Sequence, residues 1–191
     1  TNIEKSKFAD KKNKTWQKYV DEKRLEITCG EAPYLVSRYD TVSGEPLELK
    51  DRIGMLDRKM RVVCENTDSD TEWLKWSERA FQSVYGFEFQ GDSLLIAREN
   101  LLASYCDYME DKLNRQPTEK ELINIAKIIS WNLWQMDGLT YTIPYEDVAE
   151  PTEQMSLFDI GEKDRNSLCI IKDWRAKRIY TFQDLVNKGG N

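Results

Sequence analysis

Leu25 to Thr28 alternate apolar and polar side chains, and Gly30 then supplies a turn. The alternation predicts a short strand, and Pro33, suited to a helix's first turn, predicts a helix over 32–39 bearing Leu35, Val36 and Tyr39. Upstream, Trp16, Tyr19 and Val20 share one side of a short helix over 14–23 that follows a polar tail. Downstream, Leu49, Ile53, Leu56, Met60 and Val63 recur three or four apart and predict a helix over 49–63 that tolerates Gly54. Ser69 and Glu72 form a capping-box pattern before a further helix.

Val84 to Phe89 reads as a second strand, with Asp92 placed to cap the long helix that runs through Leu94, Leu101, Tyr105 and Met109. Pro117, Thr118 and Glu121 repeat the capping signal before Leu122, Ile125, Ile128 and Ile129. Residues 131–138 read as a third strand ending near Asp137. Beyond Tyr145 the periodicity fades into an acidic loop over 146–165, after which 168–173 and 178–182 bracket a polar turn as a β-hairpin, followed by a tail. Strand, helices, strand, helices, strand predicts an α/β fold whose strand-end residues Gly30, Glu88 and Asp137 share one rim of a mostly parallel sheet.

Composition narrows the chemistry. A 40% hydrophobic and 32% charged chain of 191 residues is long enough for one core. No apolar run approaches membrane-spanning length, and residues 1–14 have no signal-peptide core, so a cytoplasmic location is expected. Histidine is absent and Cys29, Cys64, Cys106 and Cys169 lie far apart, which disfavours zinc sites and His-based nucleophile pairs. A net charge of −6 disfavours a surface that grips nucleic acid everywhere, although Lys172 to Arg178 is locally basic.

The run from Leu25 to Ala32 resembles the first motif of amino-group DNA methyltransferases that use S-adenosylmethionine, an acid-Pro-x-Cys-Gly-x-Gly loop. Here Ile27 stands in the Pro position and Ala32 in that of the last Gly. Val84 to Gln90, with Ala97 to Leu101 behind it, resembles their second motif, and Gln135 to Leu139 their third. Residues 27–41, 52–63, 86–102 and 128–139 are similar to an adenine-N6 group labelled restriction endonuclease subunit M, the modification subunit of restriction systems.

The resemblance implies a Rossmann-like methyltransferase half-sheet, with a tail and short helix over 1–24, a cofactor-binding region over 25–145 with a helical insertion at about 49–83, and a loop and hairpin over 146–191. It implies S-adenosylmethionine as cofactor: Glu26 near its ammonium, Cys29, Gly30, Glu31 and Ala32 around the methionine part, Glu88 on ribose, Phe89 beside adenine, and Asp137 on the adenine amino group. DNA is the implied partner, through a larger enzyme or a partner subunit, and a homodimer is a further expectation; no metal is implied. The base-holding (Asp/Asn/Ser)-Pro-Pro-(Tyr/Phe) motif is missing from these residues, so no catalytic residue is assigned. A cofactor-binding part inactive alone and a degenerate, non-catalytic assembly or regulatory subunit both fit that absence.

Overall fold

The computed structural model describes residues 15–40, 42–144 and 168–189. Strands β1 (Arg24–Ile27), β2 (Val84–Glu88) and β3 (Leu133–Gln135) form a parallel sheet in the order β1-β2-β3. Glu26 lies beside Gly86, which in turn lies beside Leu133, so the three strand ends are level. This is the Rossmann-like α/β half-sheet that the pattern predicts.

Helices α1 (Thr15–Asp21), α2 (Met55–Asn66), α3 (Asp70–Phe81), α4 (Gly91–Leu113) and α5 (Glu119–Asn132) pack into one large core. Its centre is aromatic. Phe81 meets Tyr105 edge-on with centroids 5.6 Å apart, and Trp73 lies 5.8 Å from the same ring. Buried side chains of this size each contribute about 1.5–3 kcal/mol of hydrophobic stabilisation. Asn132 locks the end of α5 to the sheet by donating to Phe81 O (2.9 Å) and Val84 O (2.8 Å), and its own carbonyl accepts from Trp174 Nε1 (2.8 Å).

The other sheet face carries a smaller layer. Antiparallel strands β4 (Ile170–Asp173) and β5 (Arg178–Thr181) form the expected hairpin, and helix α6 (Phe182–Gly189) follows. The Phe182 ring meets Phe87 tilted by 58° with centroids 4.8 Å apart, and Tyr85 OH donates to Lys172 O (2.9 Å). This layer covers β2 and stops short of β1, where Leu25 and Ile27 remain 40% and 55% exposed.

Several local expectations differ from the structure. Residues 32–39 form no helix: after one turn, closed by Val36 N–H on Ala32 O (2.9 Å), the chain extends and docks on α2, with Met55 and Leu56 donating to Tyr34 O and Leu35 O. The helix expected over 49–63 breaks into a 3-10 turn (Leu49–Asp51) and α2, because the chain crosses Leu35 at Gly54; a Cβ there would sit 2.3 Å from Leu35 O. Ser69 Oγ caps α3 by accepting from Glu72 N, whereas the Glu72 carboxylate reaches Asp68 N at 3.5 Å, so only half of that box forms. Asp92 lies inside the first turn of α4, and Gln90 is the cap residue. Helix α5 continues through Asn132, which leaves a third strand of three residues in place of 131–138. The reciprocal box of Thr118 and Glu121 is present as expected. The tail over 1–13 and the loop over 146–165 lie outside the described residues.

Candidate cofactor-binding rim

The turn after β1 is wound tightly. Thr28, Gly30 and Ala32 all have positive φ, at 54°, 54° and 62°, a left-handed conformation that only glycine adopts without cost. At Gly30 a Cβ would meet nothing within 4 Å, so the left-handed φ alone favours glycine there. Cys29 N–H bonds back to Phe87 O (2.8 Å), so the turn is tied to β2 as it leaves the sheet.

The neighbouring strand end completes the tie. Glu88 Oε2 accepts from Gly30 N–H at 2.7 Å, and Oε1 accepts from Gln90 N–H at 3.0 Å. Each carboxylate oxygen retains a further lone pair. Phe89, the next residue, is 39% exposed. The β3 end is held alongside: Met136 N–H donates to Glu88 O (2.9 Å) and the Gln135 amide to Phe89 O (2.9 Å). Asp137 follows at once, with Oδ1 accepting from Leu139 N (2.8 Å) and Thr140 N (3.3 Å). Gly30, Glu88 and Asp137 therefore share one rim, as their spacing predicts.

The remaining candidates fall into two groups. Glu31 borders the rim: its carboxylate accepts from Tyr39 OH, and its carbonyl accepts from Asn100 Nδ2 (3.1 Å), which fastens the turn to α4. Ala32 and Cys29 are buried and shape the turn from beneath. Burial, reinforced by the charges of Glu26 and Glu88, pushes the Cys29 thiol up to about 12, so it is no nucleophile.

Glu26 is the unusual member. It points into the helical side of the sheet and is 8% exposed, and Oε2 is buried without a hydrogen-bond partner. Burial raises its carboxyl to about 7, while the Tyr34 and Leu35 N–H groups pull in the opposite direction. An acceptor left unsatisfied in a folded core costs about 1–3 kcal/mol and therefore calls for a proton or a cation.

No family model, curated protein or solved structure matches this chain.

Three supporting residues are illegible in the sequence. Asp57, fully buried, gathers Ser37 N (2.7 Å), Gly54 N (3.2 Å) and Tyr108 OH (3.2 Å) and so anchors the segment after the turn. Asn100 fastens Glu31 from α4. Lys59, 1% exposed, bonds Val20 O (3.1 Å), Glu22 O and Ser83 Oγ (2.6 Å), closing the end of α1 against β2. Asp57 and Lys59 stand among Arg58, Arg61 and Glu65 in an ordinary amphipathic helix pattern that does not set them apart. Among the described residues no cluster could hold a metal ion, and no helix is long and apolar enough to cross a membrane.

Proposed function

We propose that these residues form the S-adenosylmethionine-binding part of a DNA adenine-N6 methyltransferase, the modification subunit of a restriction system, working in the cytoplasm. One observation carries this: the left-handed turn at Gly30 and the acid at the next strand end are joined directly, Gly30 N–H to Glu88 Oε2 at 2.7 Å, below an open space. A tight left-handed turn hydrogen-bonded to a strand-end carboxylate suits a nucleoside cofactor in an open parallel sheet.

The donor set fits the cofactor. Glu88 has lone pairs left for two ribose hydroxyls, Phe89 offers an exposed ring to adenine, and Asp137 Oδ2 has no bond among the described residues and can accept from the adenine amino group. Glu26 supplies the buried negative charge that an ammonium would neutralise. The bound cofactor supplies an already activated methyl group, so the protein's task is to bind and orient. This chain's residues hold the cofactor and exclude water beneath it; a general base such as His is not needed on this side.

Calorimetric titration with S-adenosylmethionine and S-adenosylhomocysteine tests the reading. Both are expected to bind, and Glu88→Ala to weaken affinity roughly tenfold or more, since it removes charge-assisted bonds worth about 1.5–3 kcal/mol each. Asp137→Ala should weaken it less, because one neutral amino donor is lost. Binding indifferent to Glu88→Ala would remove the second-motif assignment. These residues alone are expected to bind cofactor and transfer no methyl group to DNA, which tritium transfer to unmethylated DNA checks.

A further inference from the structure

The basic run from Lys172 to Arg178 takes no part in the rim. The fold carries it to the opposite end of the sheet, where the strands begin. Lys23, just before β1, donates to Asp173 Oδ2 (2.6 Å), and Asp173 Oδ1 accepts from Arg175 N (2.9 Å) and Ala176 N (3.0 Å). The hairpin turn is thereby fastened beside the start of β1, with Lys177 and Arg178 exposed on it.

Beside the turn, α1 and α3 enclose a groove of about 820 Å³, with Lys18 and Asp21 along one wall and Glu72, Lys75 and Arg79 along the other. Both carboxylates are engaged. Asp21 accepts from the Arg79 and Arg175 guanidiniums together, so one negative charge faces two positive ones, and Glu72 accepts from Asp68 N–H at 3.5 Å. The neighbouring Lys23 and Arg24 are balanced by Asp173 and Glu22. Lys18, Lys75, Lys177 and Arg178 are exposed and meet no carboxylate among the described residues. In a chain of net charge −6, groove and turn form a strip of excess positive charge.

Lys75 and Arg79 stand one helical turn apart, and the cations follow the groove and then the turn as a line. A line of cations suits a polymer that repeats its negative charge at every step. A protein partner would need an apolar anchor, and Trp76 offers none: it is 6% exposed and covered by the Arg79 guanidinium at 4.5 Å. We propose that this strip binds the sugar-phosphate backbone of a nucleic acid without reading its sequence, with Lys18, Lys75, Lys177 and Arg178 each meeting a phosphate. The strip lies across the sheet from the rim, so it tethers the nucleic acid and presents no base to the cofactor. It stands apart from the cofactor reading, since no rim residue takes part in it.

Fluorescence anisotropy of a labelled DNA duplex of about two helical turns, titrated with the 191-residue chain, tests this. With about four phosphates neutralised, affinity is expected to fall roughly a hundredfold between about 50 and 200 mM salt, and duplexes of unrelated sequence should bind alike. Lys18→Glu/Lys75→Glu and Lys177→Glu/Arg178→Glu should each weaken binding about tenfold or more. Lys50→Glu/Lys127→Glu, an equal change of net charge at exposed sites elsewhere, should change it less than about threefold. All three variants should melt near the wild type and respond to S-adenosylmethionine as the wild type does, because the substituted side chains are exposed and lie away from the rim. No saturable binding at low salt, a strong preference among duplexes, or an equal loss in Lys50→Glu/Lys127→Glu would overturn the proposal. Displacement of the duplex by a polyglutamate peptide at equal charge would overturn it too, by assigning the groove to acidic protein segments.

Discussion

Asp57 and Glu26 are both carboxylates sunk into the same half of the molecule, yet their surroundings are opposite. Asp57 is met by the Ser37 and Gly54 N–H groups and by the Ser37 and Tyr108 hydroxyls; burial raises its carboxyl while these donors and the charge of Arg52 hold it down. Glu26 is left with a buried oxygen that nothing meets. One carboxylate is a clasp, closing the loop of 34–37 onto the start of α2. The other is a socket, stable only when a proton or a cation fills it. A buried charge with all its bonds made speaks for architecture, whereas one with a bond missing speaks for a ligand.

Breaking the clasp should have the largest effect. Asp57→Ala removes the bonds its carboxylate accepts from Ser37, Gly54 and Tyr108 and leaves the part-buried Ser37 N–H without a partner, while Gly54 N–H keeps Ser37 Oγ and Tyr108 OH keeps Asp57 O, and is expected to cost about 3–5 kcal/mol of unfolding free energy. A urea melt reads this as a fall in midpoint; a loss below about 1 kcal/mol would show that the loop does not depend on Asp57.

The socket should reveal itself through pH. Because the Glu26 carboxyl sits at about 7 in the fold against 4.5 unfolded, the native state holds the proton longer. Stability from this group is complete below about 4.5 and is lost as pH rises through about 7, a change of roughly 3 kcal/mol. Lys59 acts with the opposite sign. Burial lowers its ammonium to about 7, so the fold regains stability as pH climbs from there toward 10.5. Stability is therefore expected to dip near neutrality. Glu26→Gln should flatten the acid limb and raise stability at pH 8, while Lys59→Met should flatten the alkaline limb. Melting temperatures across pH 4–10 check both, and an unchanged acid limb in Glu26→Gln would remove the socket.

The smallest effect belongs to the turn itself. Thr28 is exposed and branched in a left-handed conformation, so Thr28→Gly should stabilise by about 1 kcal/mol, less the small loss of its hydroxyl bond to Ile27 O. Destabilisation in a denaturant melt would show that the turn relaxes by another route.

This contrast also marks what the sequence makes legible. The strands β1 and β2, the long helix α4 and the hairpin follow from periodicity, and level strand ends then bring Gly30, Glu88 and Asp137 together. Pro33 misleads because proline presets one turn without requiring a second, and the donors of α2 capture the carbonyls of Tyr34 and Leu35 instead. Trp131 to Asp137 misleads because an apolar run of that length suits a buried helix end as well as a strand. Helix α6 has a capping signal, Thr181 Oγ1 accepting from Asp184 N–H (3.1 Å), but the same residues also read as the end of the hairpin strand, which assigns Thr181 and Phe182 to β structure and the rest to a tail. The clasp is invisible, since no local pattern says which charged residue of a helix turns inward, and Glu26 is singled out by the motif resemblance alone, which does not say that one of its oxygens is buried without a partner.

The socket and the cofactor meet in a single titration. S-adenosylmethionine added to the wild-type chain at pH 7, in two buffers of different ionisation enthalpy, reports affinity and proton release together. Saturable binding is expected, with the Glu26 carboxyl losing about half a proton per cofactor as the ammonium arrives, given a starting value of about 7. In Glu26→Gln that release should vanish and affinity should fall, while the free protein becomes more stable. An absence of saturable heat up to millimolar cofactor, or the same proton release and affinity in Glu26→Gln, would contradict the assignment of this rim to S-adenosylmethionine.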